Sequence, residues 1–191
     1  MTHDLAPAAA RMAALIGGVS DSQMDSPTPS DIPVAALLDH ISGLTLGFTD
    51  AAKKEGGDRG ASADASHLVD DWRTRIPTDL DTLAAAWSDP DAWVGMTKAG
   101  GGDMPAEIAG LVALDEIVLH GWDLASATDQ PYHCDLPTLE AAYGFVAPFS
   151  EPGMEAPREG LFGPVIKIPE DAPMLHRLLG LAGRDPNWSP A

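Results

Sequence analysis

The sequence has few cysteines, few cations and no long apolar run, and each scarcity removes a class of protein. Its one cysteine, Cys134, cannot form an internal disulfide, so nothing calls for an oxidising compartment. Eleven Lys and Arg face 29 Asp and Glu, a formal net charge of -18 that argues against nucleic acid or anionic membrane as a partner. No stretch reaches the roughly 18 apolar residues of a membrane helix, and the Ala-rich N-terminus, carrying Asp4, lacks the basic start of a signal peptide. The chain therefore reads as a soluble cytoplasmic protein. With 191 residues, 45% of them hydrophobic, it is long enough for one domain spanning 1–191, despite 17 prolines and 19 glycines.

Familiar catalytic loops are missing as well. Gly100-Gly101-Gly102 precedes a helical pattern, but the Lys-Ser/Thr pair of a nucleotide loop and the strand before it are absent, so the triplet reads as a connector. No nucleophile elbow supports a Ser-His-Asp triad.

What is present is helical periodicity. Leu5 to Ile16 forms a first helix, closed by Gly17 and Gly18. A Pro/Ser/Asp connector follows. Asp31 can cap a second helix, Ile32 to about Ala52, with Pro33 in its first turn. Lys53 to Arg59 is a charged loop. Ala61 to Trp87 is helical again, with Pro77 expected to kink or interrupt it. A short strand fits Trp93 to Thr97, and Asp103 is a natural N-cap for a long helix reaching about Ala127. Pro137 to Ala147 is a fifth helix, Pro164 to Ile168 a candidate strand, and Met174 to Leu181 a short helix. Amphipathic helices with short connectors predict an all-α antiparallel bundle with a short irregular C-terminal extension.

The segment Leu111 to Ala125, LVALDEIVLHGWDLA, breaks the apolar pattern in an organised way. Glu116 and His120 lie one turn apart on one helix face, and Asp123 joins them. A buried carboxylate is paired, protonated or metal-bound. A cation would satisfy Glu116 and His120 together if a third ligand came from another helix, and His40, at the edge of the second helix's apolar arc, is the candidate. Ala36, Gly43 and Gly47 leave space beside it for a ligand. Two imidazoles and one carboxylate suit Zn²⁺, with Fe²⁺, Ni²⁺ and Mn²⁺ as alternatives, and three protein ligands leave a coordination position open. Asp123 can orient His120 from behind. The plainer account is a Glu116–His120 hydrogen bond with no metal.

The other histidines have plainer explanations. His67, followed by Asp70 and Asp71, is a rival ligand but suits a solvated face, as does Asp39 beside His40. His3 lies near the terminus, and His133 with Cys134 lacks a third partner. His176 beside Arg177 suits the surface or packing.

The strings EIVLHGWDLASATDQP, PTPSDIPVAALLDHISG and RLLGLAGRDPNW together resemble, in order and over nearly the whole chain, the metal-binding family of mycothiol-dependent maleylpyruvate isomerase in the DinB/YfiT-like superfamily. The resemblance implies a four-helix bundle of up-down-down-up connectivity and a divalent metal, usually zinc, on His40, Glu116 and His120. It also implies mycothiol as thiol cofactor or co-substrate. Where the family often has Cys and Trp before the second helix, this chain has Ser30 and Ile32. At 191 residues the sequence is expected to be too short for the additional C-terminal domain that the resemblance associates with the isomerase.

The functional expectation is a metal-dependent thiol transferase or isomerase acting on a small electrophile, as a monomer or homodimer. A non-catalytic ligand-binding helical module and a metal-dependent hydrolase are the alternatives.

Overall fold

The computed structural model describes residues 2–56 and 62–190. The far end of the Lys53–Arg59 loop and the Ala61 start of the third predicted helix fall outside them. The described chain is mostly helical. In order it forms α1 (Ala6–Gly17), α2 (Val34–Ala52), α3 (Trp72–Trp87), a hairpin of β1 (Met96–Ala99) and β2 (Gly102–Pro105), and then α4 (Ala106–Ala127). After these come α5 (Leu136–Val146), α6 (Glu155–Arg158) and α7 (Met174–Leu181). None of the described helices is long and apolar enough to cross a membrane.

Helices α1 and α2 each pack against both α3 and α4. Side-chain to backbone hydrogen bonds show which ends meet. Gln130 donates to the Leu15 carbonyl at 3.0 Å and Arg73 to that of Val19 at 3.1 Å, so the end of α1 meets the end of α4 and the start of α3. Trp87 Nε1 donates to the Phe48 carbonyl at 3.1 Å, setting the end of α3 beside that of α2. Between these helices lie the leucines of the core, Leu37, Leu80, Leu114 and Leu124 among them, with no exposed surface. Burying each contributes roughly 1.5–3 kcal/mol relative to an exposed position.

Several local expectations give way to tertiary structure. Pro77 stands inside α3 without ending it. The lost backbone donor is tolerated because Trp72, Ile76, Leu80 and Leu83 hold both flanks in the core. Asp31 does not cap α2: it has φ of 59° and Pro33 is the cap. Asp103 does not cap α4 either, being committed to β2 opposite Lys98. His67 lies in a 3-10 turn, Ala65–His67, ahead of α3. No strand forms at Pro164–Ile168, where Ile166 N–H bonds the Gly180 carbonyl with no ladder around it.

The connector glycines are the turn of the hairpin. Gly100 and Gly101 have φ of 58° and 80°, the two positive values a tight hairpin turn requires. Thr97 points inward and donates to the Ala51 carbonyl at 2.6 Å, tying the hairpin to the end of α2. Gly110 in α4 is a close approach: a Cβ there would lie 2.5 Å from the Trp93 ring and 2.8 Å from that of Trp87.

Candidate metal centre

Glu116 and His120 project from the middle of α4, and His40 reaches them from α2. One ligand atom from each of the three lies within 4.8 Å of the others. His120 Nε2 is 2.9 Å from Glu116 Oε2, and the His40 and His120 rings meet edge to face with centroids 4.9 Å apart. His67, the rival ligand, is instead near Asp64 at 3.9 Å on an exposed turn.

Both imidazoles are held from behind. His40 Nδ1 is 3.1 Å from the Ser62 carbonyl oxygen, and His120 Nδ1 is 3.0 Å from Asp123 Oδ2. An acceptor at each Nδ1 holds a proton there and turns Nε2 toward the shared position, where His120 Nε2 bonds Glu116 in the metal-free protein and a cation would take the place of that proton. Asp39 is more than a solvated charge: its carboxylate accepts from Ser62 Oγ and, at 3.1 Å, from Asp64 N–H, holding the segment that supplies the carbonyl behind His40.

Asp123, one helical turn beyond His120, is wholly buried and more heavily engaged than its sequence position suggests. Arg184 grips it with both ends of a fork, Nε to Oδ1 at 2.9 Å and Nη2 to Oδ2 at 2.8 Å. Ser30 Oγ donates to Oδ2 at 2.6 Å. Ser30 is where the resembled family often has cysteine, so this departure falls on the site itself. Arg184 leaves α7 through Gly183, whose φ of 83° suits the helix end and whose Cα has no room for a Cβ against Gly163.

The titration behaviour follows from these partners. Burial is the largest single influence on Asp123 and opposes its charge, but Arg184 and His120 together outweigh it and hold the carboxyl at about 2. Burial likewise opposes a charged His120, yet its bonds to Asp123 and Glu116 raise the imidazole to about 9. For Glu116, burial is outweighed by His120, His40 and Arg184, which lower it. His40 is lowered, first by burial and then by His120. Asp115 lies on the opposite side of this balance: burial, reinforced by the Glu116 charge, raises it well above the usual carboxylate range. Its Oδ1 is enclosed without a hydrogen-bond partner.

The donor set fits a divalent cation. Ligand atoms about 2.0–2.1 Å from a shared tetrahedral zinc stand roughly 3.3 Å apart; here the three lie within 4.8 Å of one another, with the Glu116–His120 pair at 2.9 Å.

Beside Glu116 lies a cavity of about 360 Å³, bounded by α2 at Gly43 and Gly47, α4 at Val112, the hairpin, and Leu161. The space expected beside His40, Ala36, Gly43 and Gly47 is met in part: Gly43 and Gly47 line the cavity, but it is Glu116 rather than His40 that reaches it, and Ala36 is not in its wall.

The family profile described as mycothiol maleylpyruvate isomerase N-terminal domain matches residues 5–125. The chain belongs to this family. Comparison with curated proteins and with solved structures gives no match. The matched span contains His40, Glu116, His120 and Asp123, while Arg184 lies beyond it. Arg184, Ser30 and Ser62 are the site residues missed from sequence. Two of them stand in strings that carry the resemblance, Arg184 in RLLGLAGRDPNW and Ser30 in PTPSDIPVAALLDHISG, but the sequence assigned neither a role.

Proposed function

We propose that this protein is a metal-dependent enzyme that transfers a small thiol, mycothiol by family membership, to an electrophilic carbon, with His40, Glu116 and His120 as ligands of a divalent cation, zinc by donor chemistry. The observation that carries this reading is the convergence of the three ligand atoms, with both histidine Nδ1 atoms already engaged. The meeting of helix ends supports the up-down-down-up bundle, with α1 and α4 running one way and α2 and α3 the other.

A cation held there supplies acidity, lowering the pKa of a coordinated thiol into the physiological range. The protein's own groups do the rest. Asp123, fixed by Arg184 and Ser30, keeps the His120 ring oriented and its Nδ1 protonated. The Ser62 carbonyl does the same for His40. Glu116 and Asp123 carry two negative charges against one on Arg184, so a bound dication leaves the buried cluster one positive charge and favours a single anionic ligand. Burial raises Asp115 well above the usual carboxylate range, so it opposes that preference less than an exposed carboxylate would. The apolar cavity beside Glu116 holds the electrophile away from bulk water. In the transfer the sulfur gains a bond to carbon and loses its proton. The electrophile either expels a leaving group or takes up a proton at the neighbouring carbon.

The test is elemental analysis by plasma mass spectrometry of wild type beside His40→Ala and His120→Ala, followed by thiol-consumption assays. Near-stoichiometric metal lost in both variants, with thiol consumed only when an electrophile is added, is the expected result. Wild type that takes up no metal from divalent salts would sink the ligand assignment. Turnover without thiol would replace transfer by hydrolysis at the same residues.

A further inference from the structure

The cavity beside Glu116 has a composition that limits what it accepts. Helix α2 contributes Leu44 and Phe48, α4 contributes Val112, and the hairpin adds Ala99 and Met104. Two of the lining residues are charged. Glu116 belongs to the ligand set, and Lys98 stands on the exposed face of β1 at the rim. Among the described residues no guanidinium lines the space: Arg184 is committed to Asp123, and Arg158 to the Gly163 and Leu181 carbonyls. A volume of about 360 Å³ is at the lower end of ligand pockets, which run roughly 300–1,000 Å³.

An anion entering this space must exchange water for apolar walls, a penalty that only a paired cation offsets. Lys98 offsets one negative charge. A second would face the acidic surface of a chain with net charge -18, with no further cation among the described lining residues to offset it. Maleylpyruvate, the dicarboxylate in the family's name, is therefore a poor match for this cavity. We propose that the cavity selects an apolar electrophile, aryl or alkyl in body, with at most one negative charge. The role of that molecule as thiol acceptor rests on the function proposed above, whereas its binding does not.

Gly47 lines the cavity and is not one of the ligand set, so replacing it by a larger residue takes up lining space while improving the helix propensity of α2. The experiment titrates the full-length chain with the neutral fluorophore N-phenyl-1-naphthylamine, in wild type and Gly47→Leu, with zinc content measured on the same samples. Competitors are methyl 2-naphthoate, 2-naphthoate and naphthalene-2,3-dicarboxylate. Wild type is expected to bind about one probe per chain, and Gly47→Leu to bind at least ~10-fold more weakly with unchanged zinc. The dicarboxylate should compete at least ~10-fold less well than the ester. If circular dichroism shows Gly47→Leu misfolded, Val112→Phe fills the opposite wall and replaces it. No probe binding, binding indifferent to both variants, or a dicarboxylate that competes as well as the ester would overturn the proposal. Probe binding that responds to the variants in a protein holding no metal would uphold the cavity's selectivity and instead refute the thiol-transfer reading.

Discussion

Replacing Arg184 by Met tests whether the segment after α5 supports the candidate metal centre. The guanidinium makes two charge-assisted bonds of 2.9 and 2.8 Å to a carboxylate with no exposed surface, and its own side chain is 13% exposed. Breaking a buried pair by removing one partner costs about 3–5 kcal/mol, because the other charge stays behind. Ser30 and the charged form of His120 remain on Asp123, so the loss should sit near the lower end, about 3 kcal/mol. In a domain of this size that is a fall in Tm of roughly 6–12 °C. Arg184→Lys keeps the charge but not the fork, and should lose less than half of this. The double variant Asp123→Asn/Arg184→Met removes both charges and should regain most of the stability. Metal affinity separates a scaffold role from support of the site. Cobalt titration followed by its d–d bands should show Arg184→Met weakened about 10–100-fold, because losing an outer partner loosens the ligand it orients. The double variant should stay weak, since His120 has lost its carboxylate. An Arg184→Met protein that melts within 2 °C of wild type and binds cobalt equally well would refute this reasoning.

Two further perturbations follow from single contacts. In the metal-free protein, His120 is raised from 6.5 to about 9, so its contribution to stability is complete below pH 6.5 and is lost as pH rises through about 9. That is about 3 kcal/mol by linkage, to be read as the pH dependence of urea unfolding; a slope unchanged by His120→Gln would contradict it. Gly110→Ala should destabilise by about 1–3 kcal/mol, because the added methyl meets the Trp93 and Trp87 rings. An unfolding midpoint equal to wild type would show that the rings give way freely.

How much of this was legible in the sequence depended on how local each determinant is. Helix periodicity located α4 and placed Glu116, His120 and Asp123 on one face, because spacing along one helix is enough. His40 was found by chemistry, the need for a third donor from a facing helix. Arg184 lies 61 residues from Asp123, and no periodicity links the two. The hairpin was legible only in part: the strand expected at Trp93 to Thr97 overlaps β1 at Met96 and Thr97, while β2 went unseen because four residues are too few for alternation to stand out. Asp103 had the right local chemistry for an N-cap, but pairing opposite Lys98 claimed it first. At Pro77 the tertiary packing of α3 overrode a local breaker. In each failure the deciding contact came from another segment.

Asp115 is the group at this site whose presence stability alone does not explain. It lies 3% exposed on α4 with Oδ1 unpartnered, and burial and the Glu116 charge raise it well above the usual carboxylate range. A carboxyl raised on folding contributes its stability only at acid pH, so at pH 7 Asp115 subtracts from the stability of the fold. Asp115→Asn keeps the shape and removes the proton linkage, and should stabilise the metal-free protein at pH 7 by on the order of 1–3 kcal/mol while flattening its pH dependence above pH 4. Denaturant unfolding from pH 4 to 8 measures both. A variant less stable than wild type at pH 7 would show that the carboxyl group makes a bond the amide cannot replace. A variant that is more stable yet binds cobalt more weakly would show that Asp115 is kept for the charge balance beside Glu116, at the expense of the fold.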